Sequence, residues 1–307
     1  MVEKVIIIGS GPAGLTAALY TARDDMKPVI VGGVAAGGQL MLTTTVENFP
    51  GFTDGIYGSD LIDSIRKQAE KFGARFIGED VSDIDFNSYP FKVKTDTEEF
   101  ETHSIIIATG ASAKWLGIES EKKFIGRGVS SCATCDGPFF KNKKVAVVGG
   151  GDTALEDAIF LTKFATNVTI IHRRNEFRAN KTSQDKILSN QKINIIWDST
   201  ITEILGDKTV SGIKIKNIKT NEEEQLNVDG VFVAIGHLPN TNFLKNKLEL
   251  DEQGYIITKD EVKTKIDGVF VAGDVSDKIY QQAITAAGKG AEAALQTRFY
   301  LQRKNLL

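Results

Sequence analysis

The sequence has little cysteine and little histidine: two Cys and three His in 307 residues. A closed structural zinc site takes four such ligands. His103, His172 and His237 stand far apart and form no HxxxH pair, so no metal is expected. There is no basic excess either; the net charge is −3, which argues against a nucleic-acid partner. No apolar run reaches the roughly 18 residues of a membrane span, so no membrane association is expected. The opening MVEKVIIIGSG lacks the basic start and cleavage site of a signal peptide. A cytoplasmic protein is the resulting expectation, and a structural disulfide is disfavoured there. The hydrophobic content of 41% and the charged content of 25% are ordinary for a globular chain. The length suits one large or two medium domains.

What cysteine there is stands in one place. CATCDG, residues 132–137, holds both thiols, three positions apart, with an acid directly behind. In a reducing compartment such a pair is redox-active or metal-binding more often than structural. The missing further ligands weigh against metal, and a structural pair stays as the other alternative.

A second pattern occurs twice. Residues 4–22 read KVIIIGSGPAGLTAALYTA and residues 144–162 read KVAVVGGGDTALEDAIFLT. Each is an apolar run, a glycine-rich turn and a helical pattern, the context that raises a GxGxxG match above coincidence. In the first copy Gly9 makes the tight turn, Gly11 lets a pyrophosphate approach, and Gly14 permits close helix–strand packing, with Pro12 and Ala13 between them. In the second, Gly149 and Gly151 do the same work, followed by Asp152 and Thr153, with Ala154 at the third position. The free N–H groups and partial positive charge of each helix start suit phosphate.

Coenzyme choice is expected where the copies differ. A site for an unphosphorylated ribose carries an acid about 20 residues past the first glycine. In the second copy the strand VTII ends instead in His172, Arg173 and Arg174, with Arg178 one helical turn on. Guanidinium groups pair with a 2′-phosphate, which points to NADPH. A solvated basic helix start is the alternative, although positive charge there opposes the macrodipole. In the first copy the strand PVIVGG, 28–33, ends without an acid, and the group that holds its ribose is not evident.

Between and after the copies, a helix is expected over 59–73 and strands over 91–94, 104–110, 193–197, 201–205, 211–216, 230–236 and 268–274. A final helix is expected over about 277–303. IIIATG and VFVAIG mark where the chain leaves one nucleotide domain and returns to it. The expected fold is α/β, with two Rossmann-like dinucleotide-binding domains. One comprises 1–113 and 238–307, and the other, 114–237, is inserted into it.

The order GSGPAG, ATG, CATCDG, GGGDTA, HRRNEFRA, AIGHLPN, AGDV resembles the bacterial-type, low-molecular-weight thioredoxin reductases over essentially the whole chain. The resemblance implies FAD in the first domain and NADPH in the inserted one. It implies that Gly9, Gly11, Pro12, Ala13 and Gly14 meet the FAD pyrophosphate. Gly32, Gly33, Gly37, Gly38, Gln39, Leu40 and Asn48 match further cofactor contacts, as do Thr109 and Gly110. Gly273 and Asp274 match the ribityl or pyrophosphate region, and Gln281, Gln282 and Ala283 lie by the isoalloxazine; an N-cap of the final helix is the plainer role for Asp274. Gln281 departs from the family's usual arginine.

The same resemblance makes Cys135 the flavin-side thiol, Cys132 the one that attacks a thioredoxin-like partner, and Asp136 the proton store; a turn-capping Asp136 is the alternative. It implies a homodimer, and a rotation of the inserted domain about the crossings near Ala113 and His237. Phe139 and Phe140, with Arg127 alongside, are candidates for docking the partner, with core packing as the other reading. A reductase of a glutaredoxin-like protein or a peroxiredoxin is a second possibility. A ferredoxin–NADP reductase of the same fold is a third, opposed by the Cys pair, and a nucleotide-sensing protein without turnover is a fourth.

Overall fold

The computed structural model describes residues 2–307. Its contacts divide the chain into two compact units, one of residues up to Ser112 together with Leu238–Leu307, the other of Ala113–His237. The helices are α1 (Pro12–Arg23), α2 (Gly58–Lys71), α3 (Glu119–Phe124), α4 (Ala133–Asp136), α5 (Asp152–Leu161), α6 (Lys181–Leu188) and α7 (Ala283–Arg303).

The first unit is built on a five-stranded parallel sheet in the order Val269–Val271, Ile105–Ile107, Ile6–Ile8, Val29–Val31, Arg75–Ile77. Its four Ile/Val-rich strands are fully buried, as expected of a parallel sheet covered on both faces. Alternate residues serve the two faces. Ile7, Ile30, Ile106 and Phe270 pack with the alanines of α1 and α7. Ile6, Ile8, Ile105 and Ile107 pack on the other side with Phe91 and Val93. Small residues let α1 and α7 approach closely; a Cβ on Gly290 would lie 2.1 Å from the carbonyl oxygen of Ala13.

The second unit repeats the plan. Its parallel sheet runs Val129–Ser130, Gly230–Val233, Lys144–Val148, Asn167–Ile171, Ile193–Ile196. Val145, Val147 and Ile170 meet α5 through Ala154, Leu155, Ala158 and Leu161. Ala146, Val148 and Ile171 face an antiparallel sheet of Ser199–Gly206, Val210–Asn217 and Glu223–Leu226. In both units the strand that leads into a glycine turn is the middle one of five.

Two expected elements differ. The last helix begins at Ala283, because the Asp277 carboxylate accepts the N–H groups of Ile279 and Tyr280 and folds that stretch into a turn. Gln281 then takes a positive φ of 49°. Gln282 is therefore the helix N-cap, and the capping role considered for Asp274 does not hold. The arginine-bearing stretch after Ile171 is a loop, and helix starts only at Lys181 behind the N-cap Asn180. Arg173, Arg174 and Arg178 thus do not sit on a helix start, and no helix dipole acts against their charge there.

Candidate active site

Cys132 and Cys135 are joined as a disulfide, with Cα atoms 5.3 Å apart. The strand Val129–Ser130 delivers them, and the single turn of α4 sets their spacing. Cys132 is the N-cap of α4, and the Cys135 N–H points at its Sγ at 3.2 Å. Ser130, only 7% exposed, binds the same turn: its Oγ accepts the Cys132 N–H at 3.0 Å and its proton lies toward the Cys132 carbonyl at 3.3 Å. That carbonyl also accepts the Asp136 N–H at 3.1 Å. Asp136 is half-buried. Burial pushes its carboxyl above the usual carboxylate range, and a hydrogen bond from Ser130 acts against the rise. A half-buried acid is thus tied through one serine to the turn that holds the disulfide.

The two phenylalanines behind this turn part company. Phe139 is 39% exposed, whereas Phe140 is 8% exposed and packs edge-on against Phe232 at 5.1 Å. Phe140 also fills the space over Gly230, where a Cβ would lie 2.2 Å from its ring. Its expected share in a docking surface gives way to core packing.

In the first unit the glycine turn is shaped by its neighbours. A Cβ on Gly9 would lie 2.3 Å from the Ala108 carbonyl oxygen, and one on Gly14 would lie 2.0 Å from that of Gly9. Gly11 differs, since a Cβ there meets nothing within 4 Å. It is the N-cap of α1 with no side-chain cap, so no cap side chain takes up the first-turn N–H groups. Ser10 draws the Gly32–Gly38 loop to this turn, donating to the Gly32 carbonyl at 2.8 Å and accepting the Gly37 N–H at 2.9 Å. Gln39 and Leu40 continue in a 3-10 turn. Gly273 abuts Ala13, and Asp274 beside it has a buried Oδ1 with no hydrogen-bond partner. Burial and the nearby Asp277 push its carboxyl up to about 7. Asn48 Nδ2 donates to Gln282 Oε1 at 3.2 Å, and Gln281 reaches the Tyr255 hydroxyl at 3.4 Å just before Ala283 opens α7. Thr109 and Gly110 are turned to Asn240, which donates to the Thr109 carbonyl at 2.9 Å and to the Gly110 carbonyl at 3.0 Å.

The second glycine turn is alike. Gly149 could not carry a Cβ, which would lie 2.4 Å from the Ala234 carbonyl oxygen, while Gly151 opens on free space as an N-cap without a side-chain cap. Asp152 and Thr153 start α5 at the surface and Ala154 is fully buried. The basic loop lies beside this turn. His172 is 5% exposed, packed among Phe177, Trp197 and the Cα of Gly150, with Nε2 at 3.0 Å from the Glu176 carbonyl. Burial holds its pKa below the usual value, opposed by the Glu176 hydrogen bond and aided by the neighbouring arginines. The ring props the loop from beneath. Arg173, Arg174 and Arg178 are exposed, and no guanidinium among them has an ion-pair partner among the described residues.

Residues 3–290 match the family described as pyridine nucleotide-disulphide oxidoreductase. The chain belongs to this family. A thioredoxin reductase of Rickettsia prowazekii is 52% identical over 305 residues, covering 98% of each chain. The solved thioredoxin reductase of Giardia duodenalis is 44% identical, with a TM-score of 0.93 over 97% of this chain and 98% of its own. That of Streptococcus pyogenes is 42% identical with the same TM-score and the same shares covered. Membership of a disulphide oxidoreductase family gives the Cys132–Cys135 bond its chemical sense.

Several residues of these sites escaped the sequence reading. The strand Val29–Val31 carries no acid of its own, yet the Asp80 carboxylate accepts the Val34 N–H at 3.2 Å just beyond its end. Ser10, Asn180, Asn240 and Ser130 also organise site loops. Ser10 lies inside GSGPAG and Asn240 closes AIGHLPN, but neither carries a signal of its partner, and Asn180 and Ser130 lie outside any motif.

Proposed function

We propose that the protein is an NADPH-dependent, FAD-containing thioredoxin reductase that passes electrons through Cys132–Cys135 to the disulfide of thioredoxin. The observation that carries this reading is the CATCDG disulfide with its half-buried acid, set in a chain with two nucleotide-type glycine turns. The full-length relatives named thioredoxin reductase support the choice of partner.

The first unit fits FAD. The open N-terminus of α1 at Gly11 suits a pyrophosphate. The unpartnered Oδ1 of Asp274 suits a ligand hydroxyl, since a buried carboxylate oxygen without a donor is costly. The second unit fits NADPH, through the open turn at Gly151 and the unpaired guanidinium groups of Arg173, Arg174 and Arg178. On this reading 1–113 and 238–307 form the FAD domain, and 114–237 form the NADPH domain that carries the thiols.

Bound FAD supplies two-electron transfer between a nicotinamide and a disulfide. Two electrons open the Cys132–Cys135 bond, and one proton from Asp136 leaves a thiol and a thiolate. The Cys135 N–H favours the thiolate on Cys132. Cys132 attacks the thioredoxin disulfide, forming a mixed disulfide and releasing the other thioredoxin sulfur as a thiolate. Cys135 gives its proton back to Asp136 as it attacks Cys132. The protein disulfide re-forms, and thioredoxin leaves as a dithiol once solvent completes its protons. Exposed Phe139 offers apolar surface beside the thiols for that partner.

A homodimer is carried over from the resemblance. A cytoplasmic location accords with the absence, among the described residues, of any helix long and apolar enough to cross a membrane. NADPH oxidation by the purified protein with thioredoxin, glutaredoxin and ferredoxin in turn tests the function. Turnover with thioredoxin well above the other two is expected; preference for either of the others overturns the choice of partner.

A further inference from the structure

Asp152 poses a problem that the nucleotide reading leaves open. It is the first residue of α5, at the turn where dinucleotide phosphates meet a helix start. A carboxylate there would repel the ligand if it faced it. Its Oδ1 is instead engaged sideways, accepting the Asn180 backbone N–H at 2.8 Å and the Asn180 Nδ2 at 2.6 Å. These two bonds hold its pKa below the ordinary carboxylate value. Asn180 in turn caps α6, its Oδ1 accepting the Ser183 N–H at 2.9 Å. One more tie closes the circuit: the Arg178 N–H donates to the Gly150 carbonyl at 2.8 Å.

The loop that carries the arginines is thus fixed at its start by the buried His172 and near its end by Gly150 and Asp152. Between these points Phe177 and Ala179 are buried, while Arg173, Arg174 and Arg178 are exposed. The Arg174 carbonyl is held on the side away from the glycine turn, accepting the Asp198 N–H at 3.2 Å, so the ties to the turn itself are those of Gly150 and Asp152. Long arginine side chains bind a phosphate well only when their backbone is already in place.

We propose that Asp152 is a positioning residue for coenzyme choice: its bonds to Asn180 lock the arginine loop onto the second glycine turn, and the lock sets the preference for a 2′-phosphorylated nucleotide. The proposal rests on the reading of this unit as the NADPH site. Asp152 acts through Asn180 and Arg178 and does not itself touch the nucleotide. An asparagine at 152 keeps the Oδ1 acceptor and loses the charge. An alanine loses both.

The test is calorimetric binding of adenosine 2′,5′-bisphosphate and of 5′-AMP to the FAD-loaded protein, in wild type, Asp152→Ala and Asp152→Asn. Loss of the charge alone would strengthen binding of both anions. Loss of the lock in Asp152→Ala should lower the affinity for the 2′,5′-bisphosphate relative to that for 5′-AMP about tenfold, the size of one charge-assisted contact. Asp152→Asn should keep the wild-type ratio of the two affinities. Equal changes for both nucleotides in Asp152→Ala, or an Asp152→Asn ratio as low as that of alanine, would overturn the lock. A wild-type protein that binds the two nucleotides equally would overturn the coenzyme reading and the lock with it. If the alanine ratio falls while thioredoxin proves not to be the partner, the lock stands and only the partner assignment fails.

Discussion

Replacing Ser130 by alanine should shift the pH dependence of thioredoxin reduction upward. The Ser130 hydroxyl has one proton and two acceptors within reach, the Cys132 carbonyl at 3.3 Å and the Asp136 carboxylate. A hydrogen bond to a charged group contributes about 1.5–3 kcal/mol. Shared between two acceptors, roughly half of that falls to the ionised Asp136. Loss of the bond leaves burial unopposed, so the Asp136 pKa rises further. The protonated acid that serves the thiols then persists to higher pH, and the alkaline limb of kcat/KM moves up by about 0.5–1 unit. Charged groups on the neighbouring helix need a control. α5 carries Asp152, Glu156 and Asp157; neither the strand Val129–Ser130 nor the turn Gly137–Phe140 carries any. Burial and Glu156 push Asp157 up to about 7, within the same range, so Asp157→Asn should be profiled in parallel. Asp136→Asn should remove the limb and slow the reaction about 10²–10⁴-fold. An unmoved limb in Ser130→Ala, with a limb still present in Asp136→Asn, refutes the assignment of the proton to Asp136.

Removing Arg173 and Arg174 together should raise the KM for NADPH by about tenfold per guanidinium while leaving that for NADH nearly unchanged, as steady-state kinetics with both coenzymes would show. Asp157 has a folded pKa raised to about 7 from an ordinary 3.8, so its ionisation destabilises the fold as pH rises through that window. Asp157→Asn should therefore leave stability almost unchanged in acid and increase it by about 1–2 kcal/mol above neutrality, read from urea unfolding at both ends of the window. Asp274→Asn should weaken FAD retention by about tenfold and yet stabilise the apoprotein at neutral pH, because it removes a buried carboxylate that has no internal donor. Flavin fluorescence and apoprotein melting separate the two effects.

The two glycine turns and CATCDG were legible because their geometry is local. Strand, tight turn and helix lie within one short stretch, and the glycines answer to backbone atoms of that stretch or of the adjacent strand. The parallel sheets were legible for a related reason, since strands buried on both faces read as runs such as III and VFV. What tertiary pairing decides could not be read. Asp80 reaches the loop after Val31, and Asn180 meets Asp152, through folds of the chain that no periodicity marks. The edge strand Glu223–Leu226 is almost wholly polar, so it carried no strand signal. His172 stood in sequence with the arginines as a cofactor-binding candidate, but it is a buried residue that packs beneath them. The late start of α7 is set by the Asp277 side chain, which competes for the N–H groups a helix would leave free.

The most direct test follows electrons from NADPH to thioredoxin in wild type, Cys132→Ser and Cys135→Ser. With excess oxidised thioredoxin, the wild type should yield two thioredoxin thiols per NADPH consumed. Each variant should still let NADPH reduce the flavin in stopped-flow absorbance, while thioredoxin thiols fail to appear. Normal thioredoxin turnover by either variant would contradict the account, since the electrons would then have a route that does not pass through the Cys132–Cys135 disulfide.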